Sequence, residues 1–417
     1  MHLGLHLLTA HTALAVARLL AGFVCATSTI YYVSAILSAR DFFRSRRQGG
    51  PLPAPPITIL KPLRGLDPEA YENFASFCHQ DYPRYQILFG AETADDPAIA
   101  VARRVAADYP AVDIGIVVIK ASPSANRKIG CLAGMLPEAR HGLLLVSDSD
   151  IRVDPDFLSR LVEPMAEPGV GVVTCLYRSQ ASRFAGRFFA LGLSTDFAPS
   201  VLVARRLEGV SFGMGSGILI RRSIVSVFGG FEALGHVLAD DYALGNLPSR
   251  AGHRVELARC VVDHRVGTTG FRDLVDHQLR WNRGTRAARP GGYLGMVFTQ
   301  GMPPALLLLA IGGGGAASIA VAGTAIAARL ATGWYVATKC LEDRAAARLF
   351  PLVLLRDLFG YAMWICGFFG RSVVWRGRRY RLVAGGRLDG SRPPEVEPDH
   401  GPRASRAATG GASAPGP

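Results

Sequence analysis

Asp148 and Asp150, separated by a single serine, come one residue after the apolar run 143–146. A buried strand that ends this way delivers carboxylate oxygens to its mouth. There they can reach one Mg2+ or Mn2+, directly or through water, and leave coordination positions for phosphate oxygens. The arrangement suits a divalent cation that holds a diphosphate. The same triplet also occurs in solvated turns, so its meaning depends on what stands beside it.

The neighbours are set by a regular alternation. Short β-branched or aliphatic runs at 57–61, 86–92, 114–119, 143–147, 170–176, 217–221 and 255–262 alternate with longer helical patterns. That is the pattern of an α/β unit, a mainly parallel sheet covered by helices. Asp67-Pro68, Asp96-Pro97 and Asp154-Pro155 read as helix starts, with Asp capping the first amides and Pro in the first turn. In open α/β sheets ligands collect at the carboxyl ends of the strands. Lys61, Glu92, Asp95, Asp96, Asp148 and Asp150 all fall at such ends.

The remainder of the chain reads as membrane-associated. Residues 19–38 carry no charge, enough for one crossing, and Arg40, Arg44, Arg46 and Arg47 come at once after them. The positive-inside rule then places the chain beyond this basic flank in the cytoplasm. A cleaved signal peptide would have a shorter apolar region and a small-residue cleavage site, so a retained anchor is expected. Residues 290–328 are uncharged, and 350–370 are interrupted only by Arg356 and Asp357. These suggest an interfacial piece near 291–303 and spans near 305–328 and 349–370. The expected organisation is an anchor with a basic flank (1–50), a cytoplasmic α/β domain (51–289), a membrane-associated region (290–384) and a disordered Gly/Pro/Ala/Arg tail (385–417). Net charge is +13, with arginines beside the apolar stretches, which points to anionic lipid headgroups. No nucleic-acid motif accompanies them, and no nucleic-acid partner is expected. The seven cysteines have no C-x-x-C spacing and read as reduced packing residues.

Several ordered segments carry a resemblance. They are Ile59-Leu60-Lys61-Pro62-Leu63-Arg64-Gly65, Asp81-Tyr82-Pro83, Asp95-Asp96-Pro97-Ala98-Ile99, Ser147-Asp148-Ser149-Asp150-Ile151-Arg152-Val153, Ala239-Asp240-Asp241-Tyr242 and Arg280-Trp281. Together they resemble the ceramide glucosyltransferases and their bacterial relatives, including the hopanoid-pathway glycosyltransferases that modify bacteriohopanetetrol. The resemblance covers about residues 55–285. It implies a GT-A nucleotide-diphospho-sugar transferase fold, a Rossmann-like mixed sheet, with N- and C-terminal transmembrane helices. It also implies a UDP-sugar donor, a divalent cation (Mg2+ or Mn2+), inversion at the anomeric carbon, and a membrane-lipid hydroxyl as acceptor at the cytoplasmic face of a bacterial inner membrane.

Carried over by residue, Asp96 resembles the first acid of the family, near the nucleotide, with Asp95 and Glu92 beside it. A helix cap is its other reading. Asp148 resembles the second acid, and Asp150 stands where the ceramide enzymes often have glycine. Asn126 and Lys128 resemble an Asn-Pro-Lys segment whose lysine can face the diphosphate, with Arg127 in place of the proline. Asp241 resembles the third acid, the base that removes the acceptor's proton, with Asp240 before it. Arg280-Trp281 ends a Q/R-x-x-R-W motif whose first position here is His277, with Gln278 next to it. Trp281 also fits helical packing with Phe271, Leu274, Val275 and Gln278. Near Ser194-Thr195-Asp196 the ceramide enzymes carry a histidine that this chain lacks. The expected function is sugar transfer to a membrane lipid, N-acetylglucosaminyl transfer to bacteriohopanetetrol or glucosyl transfer to ceramide. The competing readings are a processive polysaccharide synthase and a non-catalytic basic membrane scaffold.

Overall fold

The computed structural model describes residues 2–44, 54–119, 124–267, 270–375, 378–389 and 395–396. Its centre is an eight-stranded mixed sheet: β1 (Ile57–Pro62), β2 (Tyr85–Ala91), β3 (Asp113–Val118), β4 (Leu143–Val146), β5 (Ile151–Arg152), β6 (Val170–Ala181), β7 (Ile218–Arg221) and β8 (Arg254–Val266), in the order β3-β2-β1-β4-β7-β6-β8-β5. All seven strands read from the sequence are present. β1 to β4 run parallel, β6 and β8 run the same way, and only β7, between β4 and β6, and β5, at the edge beside β8, are antiparallel, so the sheet is mainly parallel as expected. β5, only two residues long, is too short to leave a periodic signal in the sequence.

Alternate residues of the strands feed two cores. Leu60, Leu144 and Val146 pack on one face, and Ile57, Ile59, Leu143 and Leu145 on the other, which is the period-2 division a sheet covered on both sides requires. Phe42, near the end of the long N-terminal helix His2–Arg44, enters the first core with Val201 and Leu202. The α/β domain and the apolar N-terminal helix are therefore packed together.

Among the described residues three helices are long and apolar enough to cross a membrane: His11–Arg44, Ala316–Cys340 and Arg344–Gly367. The helices Pro290–Thr299 and Met302–Ile311 form a pair bent by 53°. The expected span at 305–328 is thus divided. Gly313 and Gly314 take positive φ (63° and 75°), a conformation glycine adopts without steric penalty, and end the helix begun at Met302. Of the three Asp-Pro pairs only Asp96 caps a helix, accepting from Ala98 N–H at 2.9 Å. The helices near the other two begin later, at Ala70 and Phe157.

The expected tail boundary at 385 also moves. Arg387–Leu388 pairs with Leu382 and Val383 in a small sheet that includes Ser372–Trp375, and Leu388 is buried. Most of the remaining tail, and Arg46 and Arg47 of the basic flank, lie outside the described residues.

Candidate active site

At the carboxyl end of the sheet, three carboxylates meet one ammonium. Lys128 Nζ lies 2.8 Å from an Asp148 oxygen, 3.1 Å from Asp240 and 2.7 Å from Asp241. Asp148 comes from the loop after β4, Asp240 and Asp241 from the first turn of the helix Asp240–Arg250, and Lys128 from the first turn of the helix Arg127–Met135. Asn126 joins the last two. Its side-chain oxygen caps the lysine's helix at Ile129 N–H (3.3 Å), and its amide donates to Val237 O (2.9 Å) and Asp240 Oδ1 (3.2 Å). Asp240 is accordingly buried, whereas the Asp241 side chain is 33% exposed. Of the two adjacent acids, Asp241 faces the open side.

One ammonium cannot neutralise three carboxylates. Burial raises Asp241, the like charges of Asp240 and Asp148 add to it, and Lys128 only partly opposes them, so the carboxyl is pushed up to about 8. Burial likewise raises Asp148. For Lys128 burial acts downward, but the three carboxylates outweigh it and hold the ammonium charged. In metal-free protein Asp241 should therefore titrate near 8 by carboxyl carbon NMR. Asp240→Asn, which removes a like charge, should move that midpoint down. An ordinary carboxylate midpoint in the wild type would contradict this electrostatic picture.

The loop before β7 closes the cluster from below. Asp148 N–H donates to Gly215 O (3.1 Å) and Gly213 N–H to Asp241 O (3.2 Å). A Cβ on Gly215 would lie 2.4 Å from Asp148 Oδ2 and 2.6 Å from Asp241 Oδ2. Gly215 thus permits the two carboxylates to share one space. Sequence reasoning missed this loop, although the alternation Gly213, Gly215, Gly217 ahead of a strand is a signal of close backbone approach.

Asp150 points elsewhere. Its Oδ2 lies 3.2 Å from His264 Nε2 on β8, the His264 Nδ1 lies 2.7 Å from Ser179 Oγ on β6, and Asp150 Oδ1 is buried without a hydrogen-bond partner. Burial acts to raise Asp150, but the His264 charge and hydrogen bond outweigh it and hold the carboxyl below the usual range. In this arrangement Lys128 draws Asp148 and His264 draws Asp150. Among the described residues no three His, Cys, Asp or Glu side chains form a metal-holding group. His264 escapes a sequence reading because its partner is 114 residues away, and only the β5–β8 pairing (Ile151 opposite His264) brings them together.

The other expected site residues divide. Lys61 is fully buried, its ammonium donating to Asp148 O (2.8 Å) and lying 3.8 Å over the Phe77 ring. Burial pushes it down to about 7. It supports the Asp148 loop from behind and does not reach a surface a nucleotide could touch. Asp96 fills both roles of a turn anchor, with Ala98 N–H on one oxygen and Gly65 N–H (2.9 Å) on the other. Glu92 pairs with Arg127, the residue in the proline position, and Asp95 is exposed.

On the helix Phe271–Ala288, an Arg280 N–H reaches His277 Nδ1 at 3.2 Å. Burial, with the Arg280 charge beside it, pushes His277 down to about 3, so it brings no positive charge to a diphosphate and leaves that part to Arg280. Gln278 accepts from Arg356 (3.0 Å) on an apolar helix. Trp281 packs against Phe189 and Phe197, with ring centroids 5.6 and 6.0 Å away. Phe197 in turn stands 5.8 Å from Tyr177, so this aromatic wall runs from the acids toward the apolar helices.

Residues 20–388 match the family model for glycosyl transferase family 21. Ceramide glucosyltransferase 1 of Caenorhabditis elegans is 28% identical over 218 residues, 52% of this chain and 47% of that protein. The ceramide glucosyltransferase of Komagataella phaffii is 33% identical over 150 residues, 33% of this chain and 29% of that protein. The chain spans about half the length, or less, of these curated relatives. A mannosyltransferase from Pyrobaculum calidifontis, solved in complex with GDP-mannose and Mn2+, superposes with a TM-score of 0.51 at 18% identity, covering 86% of this chain and 98% of its own. That likeness shows the GT-A fold.

Proposed function

Since the chain belongs to glycosyl transferase family 21, we propose that it transfers a sugar from a UDP-sugar to a hydroxyl of a membrane lipid, with inversion at the anomeric carbon. The observation that carries this reading is the cluster of Asp148, Asp240 and Asp241 around Lys128, at the sheet end where nucleotides bind in such folds and packed beside helices apolar enough to cross a membrane. The reading includes a multi-pass protein of a bacterial cytoplasmic membrane with its GT-A domain on the cytoplasmic face.

Asp241 is the half-open acid with a raised pKa, suited to take the acceptor's proton as its oxygen bonds to the anomeric carbon and the bond to the diphosphate breaks. The electron pair of the breaking bond leaves with the diphosphate. Asp240 is buried and anchored by Asn126, so its part is to hold the turn and to raise its neighbour's pKa. Arg280 and Lys128 are the cations available to the departing phosphates, and Trp281 offers a flat wall for the sugar or acceptor. Asp150, with one buried oxygen lacking a partner, and His264, whose Nδ1–H can donate to Ser179 and leave Nε2 as a lone pair, fit a divalent cation, with Asp148 nearby. Such a cation, when bound, neutralises charge on the diphosphate leaving group.

Bacteriohopanetetrol with UDP-N-acetylglucosamine and ceramide with UDP-glucose are the two specific forms. The absence of a histidine at Ser194-Thr195-Asp196 favours the hopanoid form. UDP with Mn2+ should raise the thermal midpoint of the purified protein, as expected for any ligand that binds only the folded state. His264→Ala should weaken Mn2+ binding by about 10- to 100-fold by paramagnetic titration, on the scale of a metal-site ligand or its support. A wild type with no shift would sink the enzymatic reading in favour of a membrane scaffold.

A further inference from the structure

The described residues after the last apolar helix include a small sheet with one face open to solvent and the other packed on the acid loop. Ser372–Trp375 pairs antiparallel with Arg378–Val383, and Arg387–Leu388 pairs with the end of the latter. Leu388 N–H donates to His236 O at 2.7 Å and Leu238 N–H donates to Gly386 O at 3.2 Å, while Val237 and Arg387 form an antiparallel bridge. Three consecutive residues, 236–238, are thereby tied into the strap, and the helix carrying Asp240 and Asp241 starts two residues later. Val373, Tyr380, Leu382 and Leu388 are buried in one cluster against Leu238 and Ala125, the residue before Asn126.

The strap is fixed at its other side as well. Arg283, on the helix of Arg280 and Trp281, donates to Phe369 O (3.1 Å) and Ser372 O (2.6 Å), and Arg286 donates to Gly370 O (2.6 Å). Two elements of the candidate site, the acid turn and the Arg-Trp helix, are thus held in register by one chain segment that comes after the last apolar helix.

We propose that the strap, residues 372–375 and 378–388, is a positioning element for the transfer reaction, setting the start of the Asp240–Arg250 helix so that Asp241 and Asp148 meet at Lys128. This rests on the transferase reading above. Asn126 holds the acid turn from the sheet domain, through Val237 O and Asp240, and the strap holds residues 236 and 238 from the C-terminal segment. Asn126 takes Gly235 O, Val237 O and Asp240, and the strap takes the groups of 236 and 238 that Asn126 leaves, so the two holds alternate along the turn. Displacement of a reacting group by about 1 Å costs on the order of 10²-fold in rate.

The test compares Leu388→Pro, which removes the N–H given to His236, with Leu388→Val, which keeps it, in the full-length protein. Hydrogen exchange of the amides at 236–243 should become faster by about tenfold or more in Leu388→Pro while 143–148 stays protected, and Leu388→Val should match the wild type. The same Leu388→Pro protein should lose about tenfold or more in kcat, with UDP affinity within about twofold. Unchanged exchange at 236–243 would overturn the proposal, as would faster exchange with unchanged kcat. A fall of thermal midpoint and UDP affinity together with kcat would also overturn it, by making the strap a general stabiliser. The exchange measurement needs no turnover. A wild type without transferase activity would therefore show up as the failure of the functional reading alone.

Discussion

Asp241→Asn lowers turnover by about 10²-fold or more and leaves UDP-sugar affinity within a few-fold. The amide keeps the size of the side chain and its contact with Lys128, now 2.7 Å from one oxygen, but cannot accept a proton from the acceptor hydroxyl. Asp240→Asn is milder at saturating substrate, because the buried Asp240 oxygen that accepts from Asn126 is retained by the amide. Steady-state kinetics with both variants checks the assignment. A dead Asp240→Asn beside a nearly normal Asp241→Asn would shift the base by one residue, and two fully active variants would remove the mechanism.

The second large effect is expected at a residue with no functional atom. Gly215→Ala inserts a methyl group 2.4 Å from Asp148 Oδ2 and 2.6 Å from Asp241 Oδ2, so one or both carboxylates must move. Overpacking of this kind costs about 1–3 kcal/mol, and the displaced acids should cost about 10²-fold in kcat. Gly217→Ala is the control, since its nearest contact is Cys175 Sγ at 3.1 Å, and it should be much milder. Equal activity of the two variants would show that the shared space under Gly215 has no part in catalysis.

Local features are legible in the sequence where one short segment carries the whole signal. The seven strand runs, the strand-end position of Asp148 and the cap at Asp96 are of this kind. Any partnership across strands or across the sheet requires the fold. Lys128 sits 113 residues before Asp241, and a lysine three residues after an alanine gives no sign that three acids will converge on it. Asp150 pairs naturally with Asp148 in a sequence reading because they are near neighbours in the chain. Their partners differ: Lys128 takes Asp148, whereas the partner of Asp150 comes from β8. Lys61 does stand at a strand end, but not on an open surface, because its side chain lies under the Asp148 loop, with the ammonium on Asp148 O and over the Phe77 ring. The span near 305–328 fails on backbone conformation: hydropathy runs unbroken through Gly312 to Gly315, whereas the helix does not.

The most direct measurement is the analysis of product made by purified protein with Mn2+ from labelled UDP-glucose and UDP-N-acetylglucosamine, offered with ceramide or bacteriohopanetetrol in bilayers. A single-displacement reaction assisted by one base, Asp241, predicts one sugar on one of these lipids, with the anomeric proton of a β-glycoside by NMR from the α-linked donor. An α-glycoside, a polymer, or donor consumed without label in either lipid would contradict it.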